Sequence, residues 1–390
     1  MRTLSILALA VTCLLSACAH APPEQPVDKF LVQGLFKLPA ERVSTDQVLA
    51  VDAAMRRYLE VDIAEQLRNK GKQFGLIEAL YSRSQLKLEY DSERTKTAAE
   101  AFKTRSGNCL SLVIMTAALA RHLQLSVVFQ SAYLDETWSR NGNLMFASGH
   151  VNVTLGRRTI DSGRDYGLSP MTVDFLPARE LVRLRTREIR EATVLAMYAN
   201  NRAAEAMVQD RIDDAYAWAA EALHQDPDYV SGYNTLGVVY LRHGNPAQAV
   251  AVFERALAID PENRQAMANL VQGYELQGRA EKAETVRALL ATIEPFPPFH
   301  FFNLGLAAMR RDDWPAARDY FSREVEHADY DDEFHYWLGL AEWRLGHFAQ
   351  AVHQLQLAID NSTRREQHAL YSAKLRWLES RQRPGSAGDG

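Results

Sequence analysis

A step of 34 residues runs through the second half of the chain and constrains its fold more than any other feature. Gly237, Val271, Gly305 and Gly339 lie on it, each preceded by a leucine: Leu236, Leu270, Leu304 and Leu338. Ala215, Ala249, Ala283, Ala317 and Ala351 keep the same interval, as do Pro227, Pro261 and Pro295. Gly244, Gly278 and Gly346 punctuate the same register as turn formers. Small residues at fixed intervals let paired helices cross closely, and a proline closes each unit. A unit of this size cannot bury its apolar face alone, so neighbours must stack into a superhelix.

With Tyr233, Tyr240, Tyr274, Phe253 and Phe321 supplying bulk between the small positions, this pattern resembles the tetratricopeptide repeat. The signature is carried by Leu236, Gly237, Tyr240, Ala249, Pro261, Gly305 and Gly339. The resemblance implies five helical hairpins, at about 196–229, 230–263, 264–297, 298–331 and 332–365. It also implies a concave groove that takes a protein or peptide partner. The first unit lacks the bulky residues, and the fourth has Asp329 where proline is expected. Residues 366–381 read as a capping helix and 382–390 as a frayed tail.

The N-terminus speaks to compartment. Arg2 precedes an apolar run, Leu4 to Leu15, too short to span a bilayer, for which ~20 residues are needed. The run ends in Leu15-Ser16-Ala17-Cys18, which resembles the lipobox of bacterial lipoproteins. That resemblance implies cleavage after residue 17 and diacylation of Cys18. Ala19, rather than Asp, after the cysteine implies the inner leaflet of the outer membrane, facing the periplasm. The alternative is an ordinary signal peptide cut at a small residue. Residues 18–43, Pro-rich at first, read as a tether. Of three cysteines, Cys13 would leave with the signal and Cys18 would become a thioether. Cys109 would then be the single free thiol of the mature chain, in an oxidising compartment.

Residues 44–180 read as a helices-first α+β domain. Ser44-Thr45-Asp46 are plausible caps for a helix through Val48, Val51, Met55, Tyr58 and Leu59. A second helical stretch, about 63–86, breaks near Gly71, and a third begins at Thr95. Cys109 then opens an apolar helix to about Leu123, behind the tight Ser106-Gly107-Asn108 turn. Unpaired backbone N–H groups and the helix dipole at such a start favour a thiolate. Leu125–Tyr133 reads as a strand. Residues 135–149 read as a polar loop, either a lid or an ordinary connection. If Gly156-Arg157 turns the chain, Asn152 faces Asp161 and Val153 faces Ile160. His150 and Asp161 then become diagonal neighbours on one face of the hairpin.

Thr95, Thr97, Ala98, Ala101 and Phe102, the run Arg105 to Ser111, Ala120-Arg121 with Leu123, Gly149-His150-Val151 and Ile160-Asp161 resemble the transglutaminase-like, papain-type core. The resemblance implies a Cys109 nucleophile, His150 as general base and acid, and Asp161 as the group that orients it. Asp165 is the substitute, because the interval between His150 and Asp161 is short for the family. It implies amide hydrolysis or acyl transfer on a polypeptide through a thioester, with no metal or organic cofactor. The Cys109 N–H would be one oxyanion donor, and Asn108 is a candidate for the second.

Composition closes other routes. A net charge of −5 offers no footprint for nucleic acid, and three cysteines cannot build a disulfide framework. No phosphate loop, dinucleotide fingerprint or EF-hand is present. His347 and His353 read as surface residues without a metal companion. Residues 181–195 read as a connecting helix whose Arg183, Arg185, Arg187 and Arg190 form a solvated face. The expected molecule is an α+β transglutaminase-like domain followed by an all-α superhelix, mostly helical overall. Two alternatives stand beside a polypeptide-directed enzyme: a non-catalytic envelope scaffold, and cleavage of cell-wall peptides by the same three residues.

Overall fold

The computed structural model describes residues 26–82, 86, 88–92, 94–141, 144–156, 169–175, 185–296, 299–362 and 365–382, with the backbone alone over 132–149. The signal segment, Cys18, Asp161, Asp165, Arg183 and the tail from 383 lie outside these residues. Among the described residues, no helix is long and apolar enough to cross a membrane.

The first helix starts later than the sequence suggests. Ser44 and Asp46 hydrogen-bond to each other in a turn, and α1 (Ala53–Arg57) is capped by Asp52, which accepts from the Met55 N–H. A π-helical turn, Tyr58–Asp62, leads into α2 (Ala64–Lys70) and α3 (Lys72–Tyr81). Gly71 separates them at φ 82°, in the region where only glycine is unstrained. Thr97 and Glu100 close a reciprocal capping box at the head of α4 (Ala98–Thr104). In α5 (Cys109–His122) every residue from Leu110 to Ala120 is buried, the two polar ones, Ser111 and Thr116, with their hydroxyls hydrogen-bonded. A two-residue parallel bridge, β1 (Glu89–Tyr90) to β2 (Ser106–Gly107), fixes the turn in front of it.

The sheet is antiparallel, in the order β5–β4–β3–β6. β3 (Val127–Asn141) and β4 (Leu144–Leu155) form one long hairpin, with a register break between Ala132 and Thr137. The segment read as a polar loop, 135–149, is therefore mostly strand. The ladder continues to the pair Asn141–Leu144, because polar residues do not prevent two strands from satisfying each other's backbone. β5 (Met171–Val173) covers one edge of β4, and β6 (Arg185–Ile189) covers the free edge of β3. Of the connecting helix read over 181–195, the described residues are a strand, Arg185–Ile189, followed by the first helix of the repeats from Glu191. A strand this rich in charge suits the edge of a sheet. Val151, Val153 and Leu155 point inward against α5, with Val153 and Leu155 fully buried.

Among the described residues, ten helices then form five antiparallel hairpins: α6 (Glu191–Val208) and α7 (Ile212–Gln225); α8 (Val230–Arg242) and α9 (Pro246–Ile259); α10 (Arg264–Leu276) and α11 (Ala280–Ile293); α12 (His300–Met309) and α13 (Trp314–His327); α14 (Asp332–Arg344) and α15 (Phe348–Asn361). α16 (Arg365–Gln382) packs on α15 as the cap. Leu236, Tyr240 and Ala249 are fully buried, whereas Pro261 is exposed in the turn between α9 and α10. A Cβ on Gly237 would lie 2.3 Å from Phe253, and one on Gly305 2.5 Å from Phe321, so both helix crossings need hydrogen there.

One hydrophobic core runs without a break from Val27 through the α+β domain to Ala283, and a second begins at Phe299. The segment read as a tether therefore behaves, from Val27 onward, as part of the fold. Phe30 meets Tyr233 edge-on, and Phe36 stacks on Tyr216 at 4.0 Å. Tyr240 Oη accepts from the Val32 N–H and donates to the Phe30 carbonyl, while Asp213 and Asp214 accept from the Lys37 and Ala40 amides. A Pro-rich start conceals the apolar Val27, Phe30 and Phe36, whose burial here outweighs the entropy of a free linker. α6, α8 and α10 stack on one another, and this strap lies over α7 and α8 and reaches the edge of α9.

Candidate active site

Cys109 is the first residue of α5, and its backbone N–H has no acceptor within the helix. The turn before it is closely packed: a Cβ on Gly107 would sit 2.7 Å from that of Ser111. Asn108 is the helix cap. Its Oδ1 accepts from the Ser111 N–H at 2.9 Å and from the Ser111 hydroxyl at 2.7 Å. Its Nδ2 donates to Thr95 Oγ1 at 2.9 Å. The Asn108 Oδ1 and one Nδ2 hydrogen are thus committed to the turn, and the Cys109 N–H stays beside it as the other oxyanion candidate.

His150 projects from β4 and is 5 % exposed. Its Nε2–H faces both carboxylate oxygens of Asp174, at 2.8 and 2.9 Å, and its remaining nitrogen, Nδ1, is left for the hydrogen bond with Cys109. Both ring nitrogens are thereby engaged. Among the described residues the carboxylate beside the imidazole is Asp174; Asp161, which the hairpin register places there, lies outside them. That register fails because Val153 pairs with Phe129 on one side and with Val173 on the other. β5 therefore takes the edge assigned to Ile160, and the residue following β5 is Asp174. A three-residue strand, Met171-Thr172-Val173, was the available signal, too short to stand out.

Asp174 is itself held from two sides. Asn152, two residues along β4 on the same face as His150, donates to its Oδ2 at 3.0 Å, and Tyr81 donates to its backbone carbonyl at 2.6 Å. Burial alone would make the His150 imidazole harder to charge. The hydrogen bonds and charges of Asp174 and Cys109 outweigh it and push its pKa up to about 9. The arrangement is thus a thiol at a helix N-terminus, an imidazole stabilised in its protonated form, and a buried carboxylate behind it. Chemically it can hold a proton next to sulfur and return it to a departing group.

Comparison with known proteins speaks to the repeats. Residues 240–298 and 302–366 each match a family model described as tetratricopeptide repeat. The second half of the chain therefore carries tetratricopeptide repeats. Over 74 residues, 19% of this chain and 13% of the relative, it is 39% identical to the Hsp70-Hsp90 organizing protein of Triticum aestivum. Over 85 residues, 20% of this chain and 17% of the relative, it is 36% identical to the human DnaJ homolog subfamily C member 7. The chain thus spans well under a fifth of either relative. Among solved structures, YrrB, described as a tetratricopeptide-repeat protein with an unusual peptide-binding site, aligns at 20% identity and a TM-score of 0.25, over 46% of this chain and 92% of its own. PilF of Pseudomonas aeruginosa aligns at 19% identity and a TM-score of 0.29, over 48% of this chain and 85% of its own.

Proposed function

We propose that this protein is a lipid-anchored thiol enzyme of the transglutaminase-like class, acting on an amide of a polypeptide bound or delivered through its repeats. The observation that carries the reading is the convergence of Cys109, His150 and Asp174 from α5, β4 and the end of β5. In this reading the Cys109 thiolate attacks the amide carbonyl, and the oxyanion forms against the Cys109 N–H. His150 gives its proton to the leaving amine as the carbon–nitrogen bond breaks, leaving a thioester. His150 then takes a proton from water or a second amine as that nucleophile adds, and the thiolate departs. Asp174 keeps the imidazole turned with Nδ1 toward sulfur throughout.

The repeats support a protein or peptide partner, and the sequence at Leu15–Cys18 supports an anchor on the periplasmic face of the outer membrane. The deciding experiment follows Cys109 alkylation by iodoacetamide against pH in the purified full chain, read on the Cys109 peptide by mass spectrometry. A rate profile that changes in His150→Ala establishes the pair. A thiol that is inert, or indifferent to His150, leaves a non-catalytic envelope scaffold working through the repeats. Metabolic labelling with a palmitate analogue, lost in Cys18→Ser, tests the anchor separately.

A further inference from the structure

We propose that Glu205, a residue of the first repeat helix, positions the Cys109 site, so that thiol reactivity depends on how the repeats hold the α+β domain; this rests on the catalytic reading above. The turn that presents Cys109 is fixed by two consecutive residues far back in the chain. Thr95 Oγ1 accepts from the Asn108 amide at 2.9 Å, and the Lys96 N–H donates to the Ser111 hydroxyl at 2.8 Å. Asn108 and Ser111 are bonded to each other on either side of Cys109. Thr95 and Ser111 are buried, and the Lys96–Ser111 bond lies wholly inside the protein, where water cannot replace it.

Two anchors hold this two-residue platform in turn. One is local: the Lys96 ammonium reaches Asp91 at 2.7 Å and the Ser106 hydroxyl at 2.8 Å. The other comes from outside the domain, where the Thr95 N–H donates to Glu205 Oε1 of α6 at 2.6 Å. Glu205 is fixed by Arg202, which donates to its Oε2 at 2.8 Å and also reaches Glu41 of the strap at 3.1 Å. Glu41 accepts from the Trp218 indole N–H of α7 at 2.6 Å. Charge-assisted hydrogen bonds thus run from strap and repeats to the Thr95 N–H, and a neutral one carries on from the Thr95 hydroxyl to the cap of the helix that bears the thiol. A carboxylate bound to a buried backbone N–H makes a short and directional link. The platform shifts if α6 moves relative to the α+β domain, and the Asn108 cap in front of Cys109 shifts with it.

The test compares the pH profile of Cys109 alkylation in the full chain for wild type, Glu205→Ala, Glu205→Gln and Thr95→Val. Glu205→Ala should slow alkylation at neutral pH about threefold or more and move the profile, while Glu205→Gln, which keeps an acceptor for the Thr95 N–H, restores most of it. Thr95→Val keeps the shape and the N–H but removes the acceptor for Asn108, and should reproduce the Glu205→Ala profile even if Glu205→Ala folds poorly. If wild type responds to His150→Ala but Glu205→Ala and Thr95→Val leave the profile in place, the positioning role is overturned and the catalytic reading stands. If wild-type Cys109 is itself indifferent to His150, both fall.

Discussion

The imidazole of His150 donates to both carboxylate oxygens of Asp174, at 2.8 and 2.9 Å, across 24 residues of sequence. With Cys109 on its other nitrogen, the ring favours its charged form, and its pKa rises from the ordinary 6.5 to about 9. A raised value means the fold binds that proton more tightly than the unfolded chain does. The resulting stability is complete below pH ~6.5 and is lost as pH rises through ~9. It amounts to about 3 kcal/mol. Urea unfolding of wild type and Asp174→Asn from pH 6 to 10 should show the two curves well separated at the acid end and converging at the alkaline end. A constant separation across that range contradicts the assignment.

Asn152 is buried and donates to Asp174 Oδ2. Asn152→Ala removes a charge-assisted hydrogen bond inside the protein and should cost about 1–3 kcal/mol. It should also lower the His150 pKa, because a less well-held Asp174 turns away from the ring. NMR titration of the His150 imidazole reads that shift directly, and an unchanged titration would show that Tyr81 and the strand suffice to hold Asp174.

The repeat glycines are not equivalent. A methyl at Gly237 meets Phe253 at 2.3, 2.6 and 2.7 Å, all on a fully buried ring, whereas one at Gly339 meets nothing closer than Leu355 at 3.2 Å. Gly237→Ala should destabilise by about 1–3 kcal/mol through overpacking. Gly339→Ala should cost clearly less, and equal denaturation midpoints for the two would refute this account of the crossings.

The strap makes its own forecast. Phe36 stacks on Tyr216 and also touches Tyr240 and His243, while burial, which would raise the pKa of Glu41, is outweighed by Trp218, Arg202 and Arg211, which hold it below the usual carboxylate range. In the double variant Phe36→Ala, Glu41→Ala, residues 27–43 should exchange their amide hydrogens much faster. The sheet of the α+β domain should stay protected. Unchanged protection over 27–43 would mean that Val27, Phe30 and the Tyr240 hydrogen bonds suffice.

Local signals carried much of this molecule. The apolar run after Asn108 is α5, the 34-residue step is the five hairpins, and Gly71 is the break between α2 and α3. The faces of β4 were also legible, because alternation of His150, Asn152 and Thr154 with Val151, Val153 and Leu155 depends only on the pleat. The partner of that strand was not. Choosing between 158–161 and 171–173 for its edge requires knowing which segment closes the sheet, and both are short. The run 27–43 misled for a related reason, since a few apolar residues among prolines and charges read as a linker until a surface exists for them to cover.

By itself, then, the sequence determined what periodicity and adjacency can encode: the repeat architecture, the helix that carries Cys109, and the placing of His150 on a strand face. Tertiary structure alone decided which carboxylate stands behind His150, that the strap belongs to the core, and that Glu205 of the repeats reaches Thr95. Those three contacts join residues distant in the chain, and their free energy depends on burial and geometry that exist only after the elements have packed.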